Sequence, residues 1–351
     1  MKKFIAGALA IVTATIFTAG CSQNVKNFSA TYFDKGAAVN GVAAVDETLY
    51  YDVYSYARED ARGNSDKFPK IGVINPNLSF SVDETRSSYV TTIKTSDSGD
   101  SYKFTSTLTV VGKYVYGENK EYAVEKDVTV TEVEFRGIDS SFKPISVKRT
   151  AVNVVPLSGS PSSENDFAKI DYSYTVDYGK TAKIKVTAND ETSKKYLKKQ
   201  TEKTVEIKKY AKKDFVENDI LFTVFRNFDY AVNFTHSFNV VDAISGSLTS
   251  VSAGVLADAN AKSAVKLVKM QDTMLYGEAV NAFNAVGVKF STTGTYGRAF
   301  AYCYYANSVN SGDTVSEETD AKNKTRRVPV LIAQPSIFNT GYIVFALKSA
   351  R

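Results

Sequence analysis

The chain has no tryptophan, one histidine, two cysteines and three methionines in 351 residues. Each scarcity removes a class of chemistry. A single histidine cannot build a multi-histidine metal site. Any Ser-His-Asp or Cys-His mechanism would have to run through His236. That residue stands in NFTHSFNVV, where Phe234, His236 and Phe238 alternate as on a strand, and it reads as a structural or exposed strand histidine. No P-loop, dinucleotide fingerprint or G-x-S-x-G elbow occurs, so no cofactor is expected. An excess of one charge is lacking too. The 43 basic and 38 acidic side chains nearly balance, which argues against a nucleic-acid footprint. After the first twenty residues no apolar run is long enough to span a bilayer as a helix.

The first twenty residues are different. Lys2 and Lys3 precede a small, apolar run from Phe4 to Phe17, then Thr18, Ala19 and Gly20, then Cys21. The run has the length of a secretory h-region rather than of a permanent span. Together these residues resemble the bacterial lipobox, in which cleavage before the cysteine follows attachment of a diacylglycerol to its thiol. The resemblance implies a signal peptide over 1–20, lipidation at Cys21 and a protein held at the membrane outside the cytoplasm, on the extracellular face or in the periplasm. Each buried methylene adds about 0.8 kcal/mol of membrane affinity, and two acyl chains hold where one is marginal. Acylation of Cys21 leaves Cys303 with no disulfide partner. In FAYCYYAN, Cys303 sits among aromatic residues and reads as a buried, inert thiol. Loss of 1–20 takes away two lysines and leaves 41 basic against 38 acidic side chains.

Tyrosine and phenylalanine are abundant, at 22 and 21, and helical heptads are scarce, which points to β structure with aromatic faces. Residues 21–46 show no sustained period and read as a tether. From ETLYYDVYSYA onward a period of two recurs. SYKFTSTLTV places Tyr102, Phe104, Leu108 and Val110 on one face. KIDYSYTVDYGKTAKIKVT is the clearest hairpin. Ile170, Tyr172, Tyr174, Val176 and Tyr178 alternate with polar residues, Gly179-Lys180 turns, and Ala182, Ile184 and Val186 return. In EYAVEKDVTVTEVEF the apolar phase runs through Tyr122, Val124, Val128 and Val130, then shifts to Val133 and Phe135. A one-residue slip turns every side chain over, so a β-bulge near Thr131 and strong curvature are predicted.

One stretch reads as helix, near 215–228. In KKDFVENDILFTVFRNF, Leu221, Val224, Phe225 and Phe228 share a face, and Asp214 with Glu217 fits a capping box. Such an apolar helix needs cover, which the inside of a curved sheet would provide. Arg226 on it must reach water or find a carboxylate or carbonyl. The predicted outcome is a structural ion pair, with ligand contact as the alternative. Residues 191–213 carry nine lysines against three glutamates and read as a solvated hairpin or loop, with contact to an anionic surface as the alternative. From about residue 250 the texture turns small and polar in TSVSAGVLADANAKSA, and strands follow in AVGVKFSTTGTYGRAFAYCYYAN, RRVPVLIAQPS and TGYIVFALKS.

Two carboxylate patterns were weighed for chemistry. Glu132 and Glu134 share a strand face about 7 Å apart, which a glycosidase pair could use. A salt-bridged solvent face with Arg136 or Lys148 is the plainer expectation. Asp97 and Asp100 in TSDSGDSYK lack the spacing of an EF-hand and read as a hairpin turn, so no metal site is expected.

The element order then suggests a relative. EVEFRGIDSSFKPISVKRT, the YSYTVDYGKTAKI hairpin, DFVENDILFTVFRNFD and HSFNVVDAISGSLTSVS resemble the lipoprotein-carrier and lipoprotein-receptor superfamily and its relatives among bacterial lipoproteins, over roughly residues 85–255. Asn218, Asp219, Leu221 and Arg226 occupy the places of that group's acidic-Asn helix with an arginine. The resemblance implies a long antiparallel sheet curled into a half-barrel, a helix over its concave face, and in some relatives an acyl chain or other apolar ligand in the concavity. Tyr172, Tyr174, Leu221, Phe225 and Arg226 become the candidate ligand contacts.

The expectation is a mainly β protein with a curved sheet and covering helix over 47–255 and a C-terminal β region over 256–351. Tandem β-sandwiches are the alternative. Its expected role is that of a non-enzymatic, lipid-anchored envelope protein that binds an apolar or amphipathic ligand or handles envelope components. A surface adhesion or scaffold module and a carboxylate-dependent glycan hydrolase are the competing readings.

Overall fold

The computed structural model describes residues 47–57, 77–137, 142–197, 203–207, 215–226, 235–256, 273–275, 278–279, 282–292, 299–310 and 328–351. Cys21, the signal and tether segments, Asp214 and Phe228 lie outside them.

The first strands are β1 (Glu47–Ala57), β2 (Leu78–Val82), β3 (Ser88–Thr95), β4 (Tyr102–Tyr116), β5 (Lys120–Phe135) and β6 (Pro144–Pro156). Next come β7 (Phe167–Tyr178), β8 (Ala182–Ala188), helix α1 (Glu191–Leu197) and β9 (Lys203–Ile207). A 3-10 turn over Asn218–Ile220 leads into helix α2 (Leu221–Phe225). The chain continues through β10 (Thr235–Asp242), β11 (Ser247–Val255), β12 (Met274–Leu275), β13 (Glu278–Ala279), β14 (Ala282–Thr292), β15 (Ala299–Asn310), β16 (Pro329–Pro335) and β17 (Gly341–Ala350).

Fourteen of these strands make one large antiparallel sheet that does not close. From edge to edge it runs β9, β8, β7, β6, β5, β4, β3, β1, β17, β16, β15, β14, β11, β10. β2 pairs with the second half of β4, beyond the stretch that β3 uses. The protein is therefore mainly β, as its alternating strands predict. The C-terminal strands continue the same sheet, because β1 pairs with β3 on one side and β17 on the other. Tandem sandwiches are thereby replaced by one continuous layer with one dominant core.

The two halves of the sheet differ in texture for a physical reason. Strands β4 to β8 alternate buried and accessible residues, as a sheet with one wet face does. In β16 and β17 nearly every position is buried, so VLIA and YIVFAL read as unbroken apolar runs.

Curvature follows from what the 215–226 segment touches. Its residues reach β6 and β7 near one edge of the sheet and β10 and β14 near the other. A short segment contacts both ends only when the sheet curls around it. Leu221, Val224 and Phe225 are buried as predicted, with Phe225 packed on Phe238 and Phe290 at ring distances of 5.3 and 4.9 Å. The helix is shorter than 215–228 and starts later. Glu217 itself caps the 3-10 turn by accepting from the Asp219 N–H at 3.2 Å. Within 191–213, expected as a solvated hairpin or loop, the described residues form helix α1 and strand β9, which pairs antiparallel with β8, and Tyr196 and Leu197 of α1 are buried. Among the described residues no helix is long and apolar enough to cross a membrane.

The predicted bulge exists but lies earlier. On β4 and β5, Val110 pairs with Asp127 and Gly112 with Val124, so Glu125 and Lys126 together oppose one residue. From there Asp127, Thr129, Thr131, Val133 and Phe135 are buried, while Val128 and Val130 are half-buried. The apolar pattern misled because three polar residues occupy the covered phase. A close approach sits beside this bulge. A Cβ on Gly112 would stand 2.3 Å from the Ser81 carbonyl oxygen, so β2 can lie on β4 only where that position lacks a side chain. Gly112→Ala is expected to push β2 off β4 and cost about 1–3 kcal/mol, read as a lower midpoint of urea unfolding. An unchanged midpoint would show that the β2 contact contributes nothing.

Candidate functional site

Strand period brings a polar group to the concave face. On β6, Val147, Arg149, Ala151, Asn153 and Val155 share the buried phase. Thr131 on β5, Arg149 on β6 and Tyr174 on β7 stand side by side in register. A cation so placed has no access to water and requires a counter-charge. The 3-10 turn before α2 supplies it. Arg149 Nη1 lies 3.3 Å from Asp219 Oδ1, and both side chains are almost wholly buried. Arg149 Nε donates to Thr131 Oγ1 at 3.0 Å, and Tyr174 donates its hydroxyl to Asp219 Oδ2 at 2.8 Å. Burial opposes the Arg149 charge most strongly, but Asp219 together with Tyr174 and Tyr172 overcomes it and holds the guanidinium pKa above its ordinary value.

The neighbouring Glu217 takes a different partner. Tyr178 donates its hydroxyl to Glu217 Oε2. Burial, then the like charge of Asp219, raises the Glu217 pKa, against the pull of the Tyr178 hydroxyl and the Asp219 N–H. A second ion pair ends the segment. Arg226 meets Glu47 of β1 through two bonds, Nη1 to Oε1 at 2.5 Å and Nη2 to Oε2 at 2.9 Å. The expected structural ion pair of Arg226 is thus present, with a partner far away in sequence.

The five candidate contacts therefore fall together in space. Tyr174 and Arg226 are engaged by carboxylates, and Leu221 and Phe225 are core. Tyr172 is buried beside Tyr174, with ring centres 6.5 Å apart. The α2 segment occupies the trough inside the curled sheet. Sequence reasoning missed Glu47, Arg149 and Glu217 as partners. For Arg149 a signal was available: it stands in phase with Val147 and Ala151.

At the far end of the same face lies a less satisfied group. The β5–β6 ladder ends at Val128 opposite Val152, and Asp127 Oδ1 accepts from the Val154 N–H at 2.9 Å. Asp127 has no ion-pair partner within the described residues. Burial raises its pKa from 3.8 to about 7, against the Val154 N–H and the charge of Lys169. Tyr114 donates to the Val154 carbonyl at 3.3 Å. Thr129 donates to Asn153 Oδ1 at 3.5 Å. The Tyr196 hydroxyl, delivered by α1, is buried with no hydrogen-bond partner among the described residues.

The remaining candidates sit apart from this face. Glu132 pairs with Lys103 at 2.7 Å on a solvent-accessible face, so the salt-bridged reading stands with Lys103 in place of Arg136 or Lys148. Glu134 accepts from Ser101 at 2.7 Å. Asp100 is bonded by Ser98 in the β3–β4 turn, and among the described residues no group of three or more His, Cys, Asp or Glu could hold a metal ion. Cys303 is fully buried, and burial pushes its thiol pKa up, away from thiolate chemistry. His236 is buried on β10, and burial lowers its pKa. Comparison with family models, curated protein sequences and solved structures finds no match to this chain.

Two predictions follow from this geometry. Arg226→Met leaves the Glu47 carboxylate buried without its cation and should cost about 3–5 kcal/mol. The double variant Glu47→Leu with Arg226→Met should recover part of that loss, measured by urea unfolding; a double variant as unstable as the sum of the singles would deny the coupling. The second concerns pH. Below 3.8 Asp127 is protonated both folded and unfolded. As pH rises towards about 7, the folded chain keeps a proton that the unfolded chain releases, so stability falls. Asp127→Asn should remove on the order of 2–4 kcal/mol of that decline, seen as a flatter melting-temperature profile between pH 4 and 8. Glu217 acts in the same direction and should leave a residual slope.

Proposed function

We propose that this chain is a lipid-anchored, non-enzymatic protein of the cell envelope that binds a small amphipathic ligand at the Asp127 end of its concave face. The observations that carry the reading are Asp127, buried with the Val154 N–H as its hydrogen bond and no ion pair among the described residues, and the buried Tyr196 hydroxyl, which has no hydrogen-bond partner among the described residues. Buried polar groups are otherwise satisfied in folded proteins, and an exception asks for a partner. Tyrosine rings beside these groups offer apolar surface, so the ligand has both characters.

The lipobox-like segment supports the address. Its two-chain anchor at Cys21 and the tether over 21–46 would hold the sheet outside the cytoplasm, near but not in the membrane. A half-barrel sheet wrapped on a helix agrees with the architecture that the lipoprotein-carrier resemblance implies, although a shared fold does not transfer a ligand. A long acyl chain is the less favoured ligand. It would displace α2 and strand Glu47 and Asp219 without their arginines.

The address is tested by metabolic labelling with radioactive palmitate in a bacterial host, together with detergent-phase partitioning. The parent chain should carry label and enter the detergent phase, and Cys21→Ser should do neither. Equal labelling of both chains would reject the anchor.

A further inference from the structure

We propose that Phe215–Glu217 is a pH-sensitive cover on the outer edge of β10, held down while the Glu217 carboxyl keeps its proton against Tyr178 and lifted when that proton is lost. The inference goes beyond the ligand-binding reading and does not rest on it. It starts from the open ends of the sheet. β10 is one of the two terminal strands and pairs with β11 on its inner side. On its outer side Phe215 bridges Asn239 in parallel, and the Val216 N–H donates to the Asn239 carbonyl at 3.0 Å. An uncovered strand edge is a template for pairing with another chain, so such a cover guards it.

The cover is fastened through Glu217, which is 3% exposed. Its Oε2 meets the Tyr178 hydroxyl of β7, and its Oε1 accepts from the Asp219 N–H at 3.2 Å. Among the described residues it has no ion-pair partner. Arg149 is the cation within its reach, and Arg149 is already paired with Asp219, two residues on. Two buried carboxylates thus share one guanidinium, an arrangement that favours keeping a proton on one of them. The other groups facing the turn do not supply a second cation. β7 presents Tyr172, Tyr174 and Tyr178, and β3 presents Tyr89, all phenols held neutral by burial. Arg226 of the α2 end belongs to Glu47. On β10, Asp242 accepts from the Ile244 and Ser245 N–H groups, and burial lowers the His236 pKa. The buried acid of β5, Asp127, lies at the far end of the face.

Burial and then the Asp219 charge raise the Glu217 pKa from 4.5 to about 8. Below 4.5 the proton is bound whether the cover is down or lifted. Between 4.5 and about 8 the covered form keeps the proton and the lifted form releases it, so covering weakens as pH rises. Above about 8 both forms are ionised and the change levels off. Asp219 keeps Arg149 and the Tyr174 hydroxyl throughout, so lifting ends at Asp219 and α2 stays in the trough. What is given up is the Asn239 bridge and the contact of the Phe215 ring with Tyr178, at 5.5 Å between centres.

The test follows hydrogen–deuterium exchange of the mature full chain in non-ionic detergent micelles across neutral and mildly alkaline pH, with rates corrected for the intrinsic pH dependence of exchange. The opening equilibrium of the Val216 amide should rise by up to about tenfold per pH unit below the Glu217 pKa and then level off. Val216 should also exchange at least about tenfold faster than the best protected amides of β15 and β17, as a local opening does. Glu217→Gln stays neutral at every pH and can still bond Tyr178, so it should abolish the rise and keep Val216 protected. Asp127→Asn should leave the rise in place. A Val216 opening that changes by less than about twofold over the whole range, or a Glu217→Gln chain with the parent's slope, overturns the inference. Exchange of Val216 at the same rate as β15 and β17 would make the opening global unfolding and reject a local cover.

Discussion

The buried ion pair between Arg226 and Glu47 is the constraint on which the rest of the structure turns. It joins the end of α2 to β1, and β1 is the strand that links the two halves of the sheet. An arginine fully inside a protein is tolerable only if a carboxylate meets it with good geometry, and the two-pronged contact provides that. The pairing closes a loop of 179 residues in sequence. Strands β2 to β9 must therefore leave β1, curl, and return their chain to the inside of the sheet.

The second pair works with the first. Asp219 on the 3-10 turn holds Arg149 on β6, so the segment is tied at its start to one half of the sheet and at its end to the seam. Between these ties Phe222 and Phe225 pack on Phe290 of β14, and Tyr305 donates to the Phe222 carbonyl at 3.0 Å. Polar groups set position while aromatic area supplies cohesion. The trough that such a sheet creates is consequently occupied along its middle, and beyond it the β4–β5 bulge turns Asp127 inward, where it accepts from the Val154 N–H.

Much of the fold was legible in local pattern. The Tyr172 to Val186 hairpin alternates without interruption, and every residue expected inside it is buried. The helix was legible from Leu221, Val224 and Phe225, and the need of Arg226 for a partner from its apolar company. What failed was the phase of β5. Hydrophobicity assigned Val128 and Val130 to the core, while Asp127, Thr129 and Thr131 took that place. Thr131 is covered where it accepts from Arg149, Thr129 where it meets Asn153, and Asp127 where it accepts from the Val154 N–H, partners that no local rule supplies. The bulge was for the same reason displaced from Glu125-Lys126 to Thr131.

By itself, then, the amino-acid order determined the β character, the inward helix, the inert setting of Cys303 and the lipobox-like start, since each rests on short-range periodicity or composition. Tertiary structure alone decided which charges meet. Glu47 and Arg226, and Arg149 and Asp219, are separated by tens to hundreds of residues. Their energies depend on burial and on distances of a few ångströms, quantities that exist only after the sheet has curled.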